Sequence, residues 1–310
     1  MTAGSTNAGS PIRPTTIVEA RALSDRLGIK VVLASETGQY TGSFKFRAAY
    51  NVAANVPNQR IIAASSGNYG QALAAACAMF GKSCTIVMPE TSAKVKVEAV
   101  RSHGGQVEFV DTRIKSRAAR VLELAAQDPD AYLSSAYDDP LVIQGNASLG
   151  RELARIAERF HCVLAPIGGG GLTAGIISGL RESGCATPVW AAEPLIANDA
   201  ARSLREGRIV ANPSEPQTIA DGVRSLSVGK HNWAVLQSGL AGVIEVSEEN
   251  IAEAVRILHS TANLRAEPTG ALPIAALLQS PDTFRTQTVC CVVSGGNVDQ
   301  ELFDRILTGR

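Results

Sequence analysis

The sequence predicts an α/β fold whose parallel β-sheets are covered by helices on both faces. Short apolar runs alternate along the chain with longer segments of helical periodicity. Several of these runs contain almost no polar residues, which is typical of parallel strands that are buried on both faces. Such alternation over 310 residues indicates that the helices connect the strands of the sheets.

Eight strands and nine helices follow when the chain is taken in order. The strands, each a short apolar run, cover residues 31–34, 61–64, 84–88, 107–110, 163–167, 189–192, 243–246 and 289–293. The helices, identified by apolar residues spaced three or four apart, cover residues 44–55, 69–80, 93–103, 116–126, 140–160, 172–183, 248–263, 269–279 and 299–307. Because ligands of open parallel sheets bind beyond the carboxyl ends of the strands, we expect functional residues in the loops that follow them.

The composition is that of an ordinary globular protein. Hydrophobic residues make up 45% of the chain and charged residues 19%. The 29 Lys and Arg residues balance the 29 Asp and Glu residues, so a nucleic-acid partner is not expected. No apolar run reaches the roughly 20 residues of a membrane-spanning helix. Residues 1–12 lack the apolar core of a secretory signal and are predicted to form a disordered tail.

The six cysteines and four histidines predict neither a disulfide framework nor a zinc site. No two cysteines form a CxxC pair and several lie within apolar runs, so we expect buried free thiols in a reducing, cytoplasmic compartment. The histidines show no HExxH spacing or similar clustering.

A lysine in an apolar setting is the first candidate for chemistry. Lys45 lies between Phe44 and Phe46, just after a turn that contains Gly42. Burial disfavours the charged ammonium and lowers its pKa, and the neutral amine is the nucleophile that Schiff-base chemistry requires. The same short pattern also fits a surface lysine on an amphipathic helix. Glycine-rich loops further along the chain favour the functional interpretation.

The loop after the second predicted strand is polar and opens a helix. It consists of Ser65, Ser66, Gly67, Asn68 and Tyr69. A serine at the helix N-cap explains one hydroxyl, but it does not explain the glycine or the amide. This loop is therefore a candidate for ligand binding.

A run of four glycines follows the fifth predicted strand and precedes a helix that begins near Leu172. The run consists of Gly168, Gly169, Gly170 and Gly171. Such a run costs conformational entropy, and close approach of main-chain N–H groups to an anion at a helix N-terminus would explain it. It matches neither GxGxxG nor GxxxxGK[ST], so it predicts a site for a single phosphate. A tight, flexible turn is the alternative.

Two further loops carry polar candidates. After the sixth predicted strand, Glu193 and Asp199 flank the carbonyl of Ala197, and oxygen ligands of this kind suit Mg²⁺ or Ca²⁺. Solvated or helix-capping carboxylates are the alternative there. After the last predicted strand, the hydroxyl of Ser294 is placed to hydrogen-bond a buried ligand atom.

Together these motifs resemble those of the pyridoxal-phosphate-dependent serine/threonine dehydratase and serine racemase family, whose members are fold-type-II, tryptophan-synthase-β-like enzymes. The resemblance runs from about Arg13 to Asp299, in motifs that begin at Gly42, Ser65, Gly168, Glu193, Glu267 and Ser294. It implies two parallel-sheet, three-layer domains with the cofactor between them. Residues 1–58 and 140–310 would form the large domain and residues 59–139 a small mobile one, in a homodimer.

The resemblance also implies roles for individual residues. Lys45 would form the Schiff base with pyridoxal 5'-phosphate and later take the α-proton of the substrate. Asn68 would hydrogen-bond the ring hydroxyl, and Ser294 would face the pyridine nitrogen. The phosphate would be bound by the amides of Gly168, Gly169, Gly170, Gly171 and Leu172.

Substrate and metal residues are implied in the same way. The carboxylate of an amino-acid substrate would be held by Ser65, Ser66, Gly67, Asn68 and Tyr69. Ser66 also matches the acid or base on the opposite face of the site in racemases. A divalent cation such as Mg²⁺ would be bound by Glu193, the Ala197 carbonyl and Asp199.

The predicted activity is dehydration and deamination of a β-hydroxy amino acid such as L-threonine, L-serine or a hydroxyaspartate, giving a 2-oxo acid and ammonia. A neutral hydroxyl such as that of Ser294 cannot hold a proton on the pyridine nitrogen as an aspartate would. Expulsion of the β-hydroxyl soon after removal of the α-proton is therefore the favoured course.

Three alternatives remain at this point. The first is racemisation, because Ser66 is present to return a proton from the opposite face. The second alternative is a β-replacement enzyme resembling cysteine synthase, which would usually have Lys-Asp-Arg where this chain has Lys45, Phe46 and Arg47. The third is a catalytically silent cofactor-binding protein, which would be expected to lack Lys45 or the glycine run. Tyr40 and Tyr69 stand where the family usually has Pro and His, so the substrate is open. Tyr69 could make room for, or hydrogen-bond, a side chain larger than that of serine.

Overall fold

The computed structural model describes residues 10–65 and 67–309. Within these ranges the strands are β1 (Thr16–Glu19), β2 (Lys30–Ser35), β3 (Arg60–Ala64), β4 (Ser83–Pro89), β5 (Gln106–Val110), β6 (Tyr132–Ser134), β7 (Cys162–Pro166), β8 (Val189–Pro194), β9 (Leu240–Val246) and β10 (Thr288–Val293). Most of the predicted disordered tail, residues 1–9, lies outside the described residues.

Helices connect most of these strands. They are α1 (Arg21–Leu27), α2 (Lys45–Asn55), α3 (Asn68–Met79), α4 (Lys94–Ser102), α5 (Arg117–Gln127), α6 (Pro140–Ala154), α7 (Gly171–Glu182), α8 (Asp199–Glu206), α9 (Lys230–Gly239), α10 (Glu248–Ala262), α11 (Pro268–Gln279), α12 (Pro281–Phe284) and α13 (Gln300–Thr308). None of the helices in the described ranges is long and apolar enough to cross a membrane.

A six-stranded sheet with the order β1-β2-β10-β7-β8-β9 forms one half of the architecture. Only the edge strand β1 is antiparallel to its neighbour. Along β10, Cys291 and Val293 face a core built with α10 and α11, whereas Cys290 and Val292 face a second core built with α6 and α7. Helices thus cover both faces, which confirms the α/β class and explains why the strand reads as a continuous apolar run.

A second sheet has four parallel strands in the order β5-β4-β3-β6. Its core contains Leu73 of α3, Ile86 of β4 and Val52 of α2. Helix α2 also packs against α6 of the first sheet, so it joins the two sheets. The domain boundaries at residues 59 and 139 remain a prediction.

All eight predicted strands are present, with ends that differ by at most three residues. The sequence did not reveal β1, β6, α1, α8, α9 and α12. Strand β1 is a half-exposed edge strand of four residues, and β6 has three, so neither is long enough to show a period. Short elements of this kind are stabilised by their partners in the sheet.

The single helix predicted for residues 140–160 is wrong. Helix α6 ends at Ala154, and Ala157–Arg159 form a separate 3₁₀ turn. The N–H of Arg155 donates to the carbonyl of Glu152, a bond that spans three residues and tightens the end of the helix. Because Ile156 still packs on the same core after the break, the apolar spacing does not reveal where the helix ends.

Candidate active site

Lys45 is the first residue of α2, and the segment before it is bound to the end of β10. The N–H of Phe44 donates to the carbonyl of Ser294 at 2.9 Å, and Ser43 forms a β-bridge with Gly295. This places the lysine at the carboxyl edge of the six-stranded sheet, where ligands of parallel sheets bind. The sequence shows Lys45 just after a glycine turn, and the structure adds that this turn lies beside the last strand.

Helix α2 is held in place by Arg47, whose side chain is fully buried. Its guanidinium donates from Nε to Glu36 at 2.7 Å and from Nη1 to Glu152 at 2.8 Å. These bonds tie α2 to the loop after β2 and to α6, and pairing is what makes a buried charge tolerable. Arg47 therefore fixes the helix from which Lys45 projects.

The amine of Lys45 lies among aromatic rings and one carbonyl. Its Nζ donates to the carbonyl of Ala136 at 2.6 Å. The rings of Phe44 and Tyr69 lie 5.1 and 5.8 Å from it. Burial lowers the pKa of Lys45 to about 8, although the negative charge of Glu267 acts in the opposite direction. A substantial fraction of the amine is therefore neutral near physiological pH.

Glu267 is the residue that sequence reasoning missed, although its motif was recognised. The side chain is buried, and both carboxyl oxygens accept from Nδ2 of Asn68, at 2.9 and 3.0 Å. The Oδ1 of Asn68 accepts from Asn297 at 2.8 Å. Burial, and after it the charge of Asp221, raises the pKa of Glu267 to about 8. The amide of Asn68 is thus oriented by partners on both sides.

The glycine run forms a loop between β7 and α7 in which carbonyls and amides are used differently. The carbonyls of Gly169, Gly170 and Gly171 all accept hydrogen bonds from protein groups. Among the described residues, no protein acceptor is found for the N–H groups from Gly168 to Thr173. Unpaired N–H groups at a helix N-terminus form a site for an anion, and this arrangement fits a phosphate group.

Close packing explains why this loop is made of glycine. A Cβ on Gly169 would lie 2.2 Å from the ring of Tyr137, and one on Gly168 would lie 2.8 Å from Val223. Gly170 has a φ of +93°, which L side chains rarely adopt. The flexible-turn alternative does not account for these contacts.

Two serine hydroxyls at the same sheet edge lack partners. The Oγ atoms of Ser43 and Ser294 are buried, and neither has a hydrogen-bond partner within the described ranges. Buried hydroxyls are normally bonded, so an unpaired one facing a site is suited to a ligand atom. Ser294, the residue expected to face a pyridine nitrogen, thus fits a bound cofactor ring.

The polar loop after β3 is used partly for local structure. The hydroxyl of Ser65 accepts from the N–H of Gly67 at 3.3 Å and of Gly70 at 3.1 Å, so it satisfies an N–H in the first turn of α3, whose N-cap residue is Gly67. The hydroxyl of Tyr69 is 2.5 Å from that of Ser134, and burial raises the pKa of this phenol. That hydroxyl is therefore engaged within the protein. The predicted acid or base, Ser66, lies outside the described residues.

The candidate cation residues lie together at the start of α8. The buried carboxylate of Glu193 accepts from the N–H of Ala200 and of Ala201, at 3.2 and 2.7 Å. Oδ1 of Asp199 accepts from Asn212, whereas its buried Oδ2 has no partner among the described residues. Within residues 10–65 and 67–309, no group of three or more His, Cys, Asp or Glu side chains could hold a metal ion. One unpaired oxygen fits a cation, and the site remains a prediction.

Known proteins share this arrangement of chain and loops. A family model described as "Pyridoxal-phosphate dependent enzyme" matches residues 9–295. The chain is 32% identical to L-threo-3-hydroxyaspartate ammonia-lyase of Pseudomonas sp, over 95% of this chain and 93% of that protein. It is 31% identical to the serine racemase of Bos taurus, over 93% and 89%. Its structure is similar to that of the threonine deaminase of T.th., with a TM-score of 0.86, 38% identity and 92% of each chain covered.

Proposed function

The chain belongs to the family of pyridoxal-phosphate-dependent enzymes, and from this we propose that it eliminates water from a 3-hydroxy amino acid. The unsaturated amine that is released would take up water again and hydrolyse to a 2-oxo acid and ammonia. It is a fold-type-II enzyme of the ammonia-lyase kind. Candidate substrates are L-threonine, L-serine and L-threo-3-hydroxyaspartate, and the products are a 2-oxo acid and ammonia. The relatives named for elimination support this reaction.

One observation carries the proposal, namely that Lys45 and the glycine loop both lie at the carboxyl edge of the six-stranded sheet, where the N–H groups of the loop have no protein acceptor among the described residues. Bound pyridoxal phosphate supplies an aldehyde for covalent attachment and an electron sink for charge that develops at the α carbon. Lys45, with a pKa of about 8, can act as a nucleophile toward the aldehyde and later as the base that accepts the α-proton. The amides of the glycine loop would hold the phosphate, and Asn68 and Ser294 would hydrogen-bond the ring.

Ser294 favours elimination over reactions in which negative charge from the α carbon must be stabilised for a long time by a protonated ring nitrogen. Its neutral, buried hydroxyl would accept or donate a hydrogen bond at the ring nitrogen without keeping a full positive charge there. Departure of the β-hydroxyl with a proton, as water, would then relieve the charge at the α carbon. Closure of the residues around Ser65, Gly67 and Tyr69 over the substrate carboxylate would exclude water from this step.

A substrate panel tests the proposal directly. L-Threonine, L-serine, L-threo-3-hydroxyaspartate and O-acetyl-L-serine are incubated separately with the reconstituted enzyme, with and without sulfide. The 2-oxo acid, the ammonia and any β-substituted amino acid are then quantified. We expect 2-oxo acid and ammonia in equal amounts from at least one hydroxy amino acid. Exclusive formation of a β-substituted amino acid in the presence of sulfide would instead identify a β-replacement enzyme.

Racemisation is a second candidate because serine racemases are among the relatives. It needs a group that returns a proton from the face opposite Lys45, and Ser66 is the residue whose sequence position matches that role. Chiral chromatography of the remaining amino acid measures this activity. Ser66→Ala should reduce racemisation more than elimination, and equal losses would remove the special role of Ser66.

Compartment and assembly complete the proposal. The six cysteines are free thiols, five of them buried, which supports a reducing, cytoplasmic compartment. A homodimer is proposed from the family resemblance. Light scattering coupled to size-exclusion chromatography would give about twice the chain mass of 32.4 kDa for a dimer, and the monomer mass would contradict it.

A further inference from the structure

We propose that Asn232 is a positioning residue for the cofactor phosphate, with Asn146 as its counterpart on the other side of the glycine loop. Asn232 lies in the first turn of α9 and Asn146 in the middle of α6. Both side chains are buried and neither carries a charge. They act on the loop through its carbonyl groups.

Asn232 fixes the carbonyl of Gly169. Its Nδ2 donates to this oxygen at 2.6 Å and to the carbonyl of Tyr137 at 3.0 Å. The N–H of Gly229, just before α9, donates to the same Gly169 oxygen at 2.9 Å. Two donors from the start of α9 therefore hold one carbonyl of the loop inside the protein.

The start of α9 is itself held in position. The carboxylate of Asp138 accepts from the N–H of Lys230 at 3.0 Å and of His231 at 2.8 Å. It thus caps the helix and stabilises the positive end of the helix dipole. Hydrogen bonds therefore hold both the helix turn that carries Asn232 and the two carbonyls to which its amide donates.

Asn146 does the same for the carbonyl of Gly171. Its Nδ2 donates to that oxygen at 3.0 Å, and the carbonyl between, that of Gly170, accepts from the N–H of Ala174 at 2.8 Å. A trans peptide is planar, so its C=O and N–H point in opposite directions. Fixing three successive carbonyls therefore aims the N–H groups of the three following residues, Gly170, Gly171 and Leu172, to the opposite side.

The unpaired side-chain oxygens of these two asparagines destabilise the fold, which indicates that their Nδ2 donors have a role. The Oδ1 atoms of Asn146 and Asn232 are buried and have no hydrogen-bond partner within the described ranges. A buried, unpaired acceptor destabilises the folded state, and an apolar side chain of similar size would avoid this cost. The donated bond to the glycine loop is what each amide provides in return.

The test, which rests on the proposed cofactor, compares two ligands that differ only in the phosphate. The full-length chain is freed of its cofactor, and the dissociation constants of pyridoxal phosphate and of pyridoxal are measured by absorbance titration. In Asn232→Ala we expect the constant for pyridoxal phosphate to rise about tenfold or more, while that for pyridoxal changes less than about twofold. Asn232→Asp keeps the size but loses the donor, and Asn146→Ala removes the second clamp, so both should shift in the same direction.

Asn51→Ala is the matched control. Its Nδ2 also donates to a backbone carbonyl, that of Leu141 at 2.7 Å, but away from the glycine loop. We expect it to leave both dissociation constants unchanged. Equal weakening of pyridoxal phosphate and pyridoxal in the Asn232 variants would show a merely structural role and overturn the proposal. An unchanged constant for pyridoxal phosphate would overturn it as well. These outcomes do not depend on which amino acid the enzyme accepts.

Discussion

Two titratable groups, the half-buried Lys45 and the buried Glu267, interact electrostatically at the centre of the site. Lys45 and Glu267 both have a pKa of about 8, the lysine lowered and the glutamic acid raised, chiefly by burial. The negative charge of Glu267 favours the ammonium form of Lys45. Both groups therefore change charge near neutral pH, and each charge favours the charged form of the other.

The reactivity of Lys45 in the cofactor-free chain should depend on pH in a specific way. We expect acylation of its amine to reach half its maximal rate near pH 8, rather than near the ordinary lysine pKa of about 10.4. The ammonium does not react, so the rate should fall below pH 8 and reach a plateau above it. Pulse labelling followed by mass spectrometry of the Lys45 peptide measures this.

Glu267→Gln tests whether the charge of Glu267 raises or lowers the pKa of Lys45. Removing the negative charge no longer favours the ammonium, so the midpoint for Lys45 should move to lower pH. Glu182→Gln, which changes an exposed carboxylate paired with Arg151, is the control and should leave the midpoint in place. A midpoint near the ordinary lysine pKa in the unmodified chain would contradict the description of Lys45 as a buried amine.

At the scale of elements, the loop between β7 and α7 combines a left-handed backbone conformation at Gly170 with close packing. Gly170 has a φ of +93°, and a Cβ there would lie 2.7 Å from the side chain of Leu236. The carbonyls on both sides of it are bonded to α6 and α9. The predicted anion site is therefore shaped by three helices and not by α7 alone.

Gly170→Ala should separate strain from cofactor binding. An L residue in this conformation costs about 1–2 kcal/mol, and displacement of Leu236 adds to it, so we expect a loss of about 2–3 kcal/mol in the free energy of unfolding. Gly28→Ala is the control, because Gly28 has a φ of +64° but open space around its Cβ position. Only Gly170→Ala should also weaken binding of pyridoxal phosphate. Equal effects of the two variants in urea titrations and cofactor titrations would be inconsistent with a shaped cradle.

Helix α8 provides the second prediction at this scale. If Glu193, the Ala197 carbonyl and Asp199 hold a divalent cation, chelation should lower the melting temperature by a few degrees, since a ligand bound only by the folded state stabilises it. Asp199→Asn should abolish this sensitivity to chelator. Asp299→Asn, at the start of α13, should retain it. A melting curve that chelator does not shift would argue against a bound cation.

For the whole molecule, the pair Lys96–Asp221 is one of the ion pairs that join the helices of the four-stranded sheet to the half built on the six-stranded sheet. Lys96 of α4 donates to Asp221 at 2.5 Å, and both side chains are about one-third exposed (32% and 39%). Exposed pairs contribute only about 0–1 kcal/mol to stability. The same two charges act on the pKa of Glu267, Asp221 raising it and Lys96 lowering it. The pair is thus placed to link the relative position of the sheets to the site.

Lys96→Met should affect substrate binding more than stability. Loss of the pair removes a contact that holds the small sheet against the large one, so we expect KM for the preferred amino acid to rise about threefold or more with little change in kcat. Lys94→Met, on the same helix and exposed, is the matched control. A rise in KM of equal size for both variants would indicate a general electrostatic effect and not a specific contact.

Local patterns were sufficient for much of the fold and part of the site. Apolar runs identified eight of the ten strands in the described residues, since burial on both faces leaves a continuous signal. The glycine run and the lysine between two phenylalanines also follow from short segments whose backbone and burial requirements are local. The break after α6 at Ala154 was not predicted, because the apolar spacing continues past it.

The sequence by itself determined the α/β class, the candidate attachment lysine and the candidate phosphate loop, because each depends on residues close together in the chain. Only the tertiary structure decided which distant polar groups meet. Asn68 and Glu267 are 199 residues apart, and Asn232 and Gly169 are 63 apart. Such pairs depend on how helices pack across two sheets, and a polar residue on a helix has the same local pattern whether it faces solvent or a carbonyl of the site.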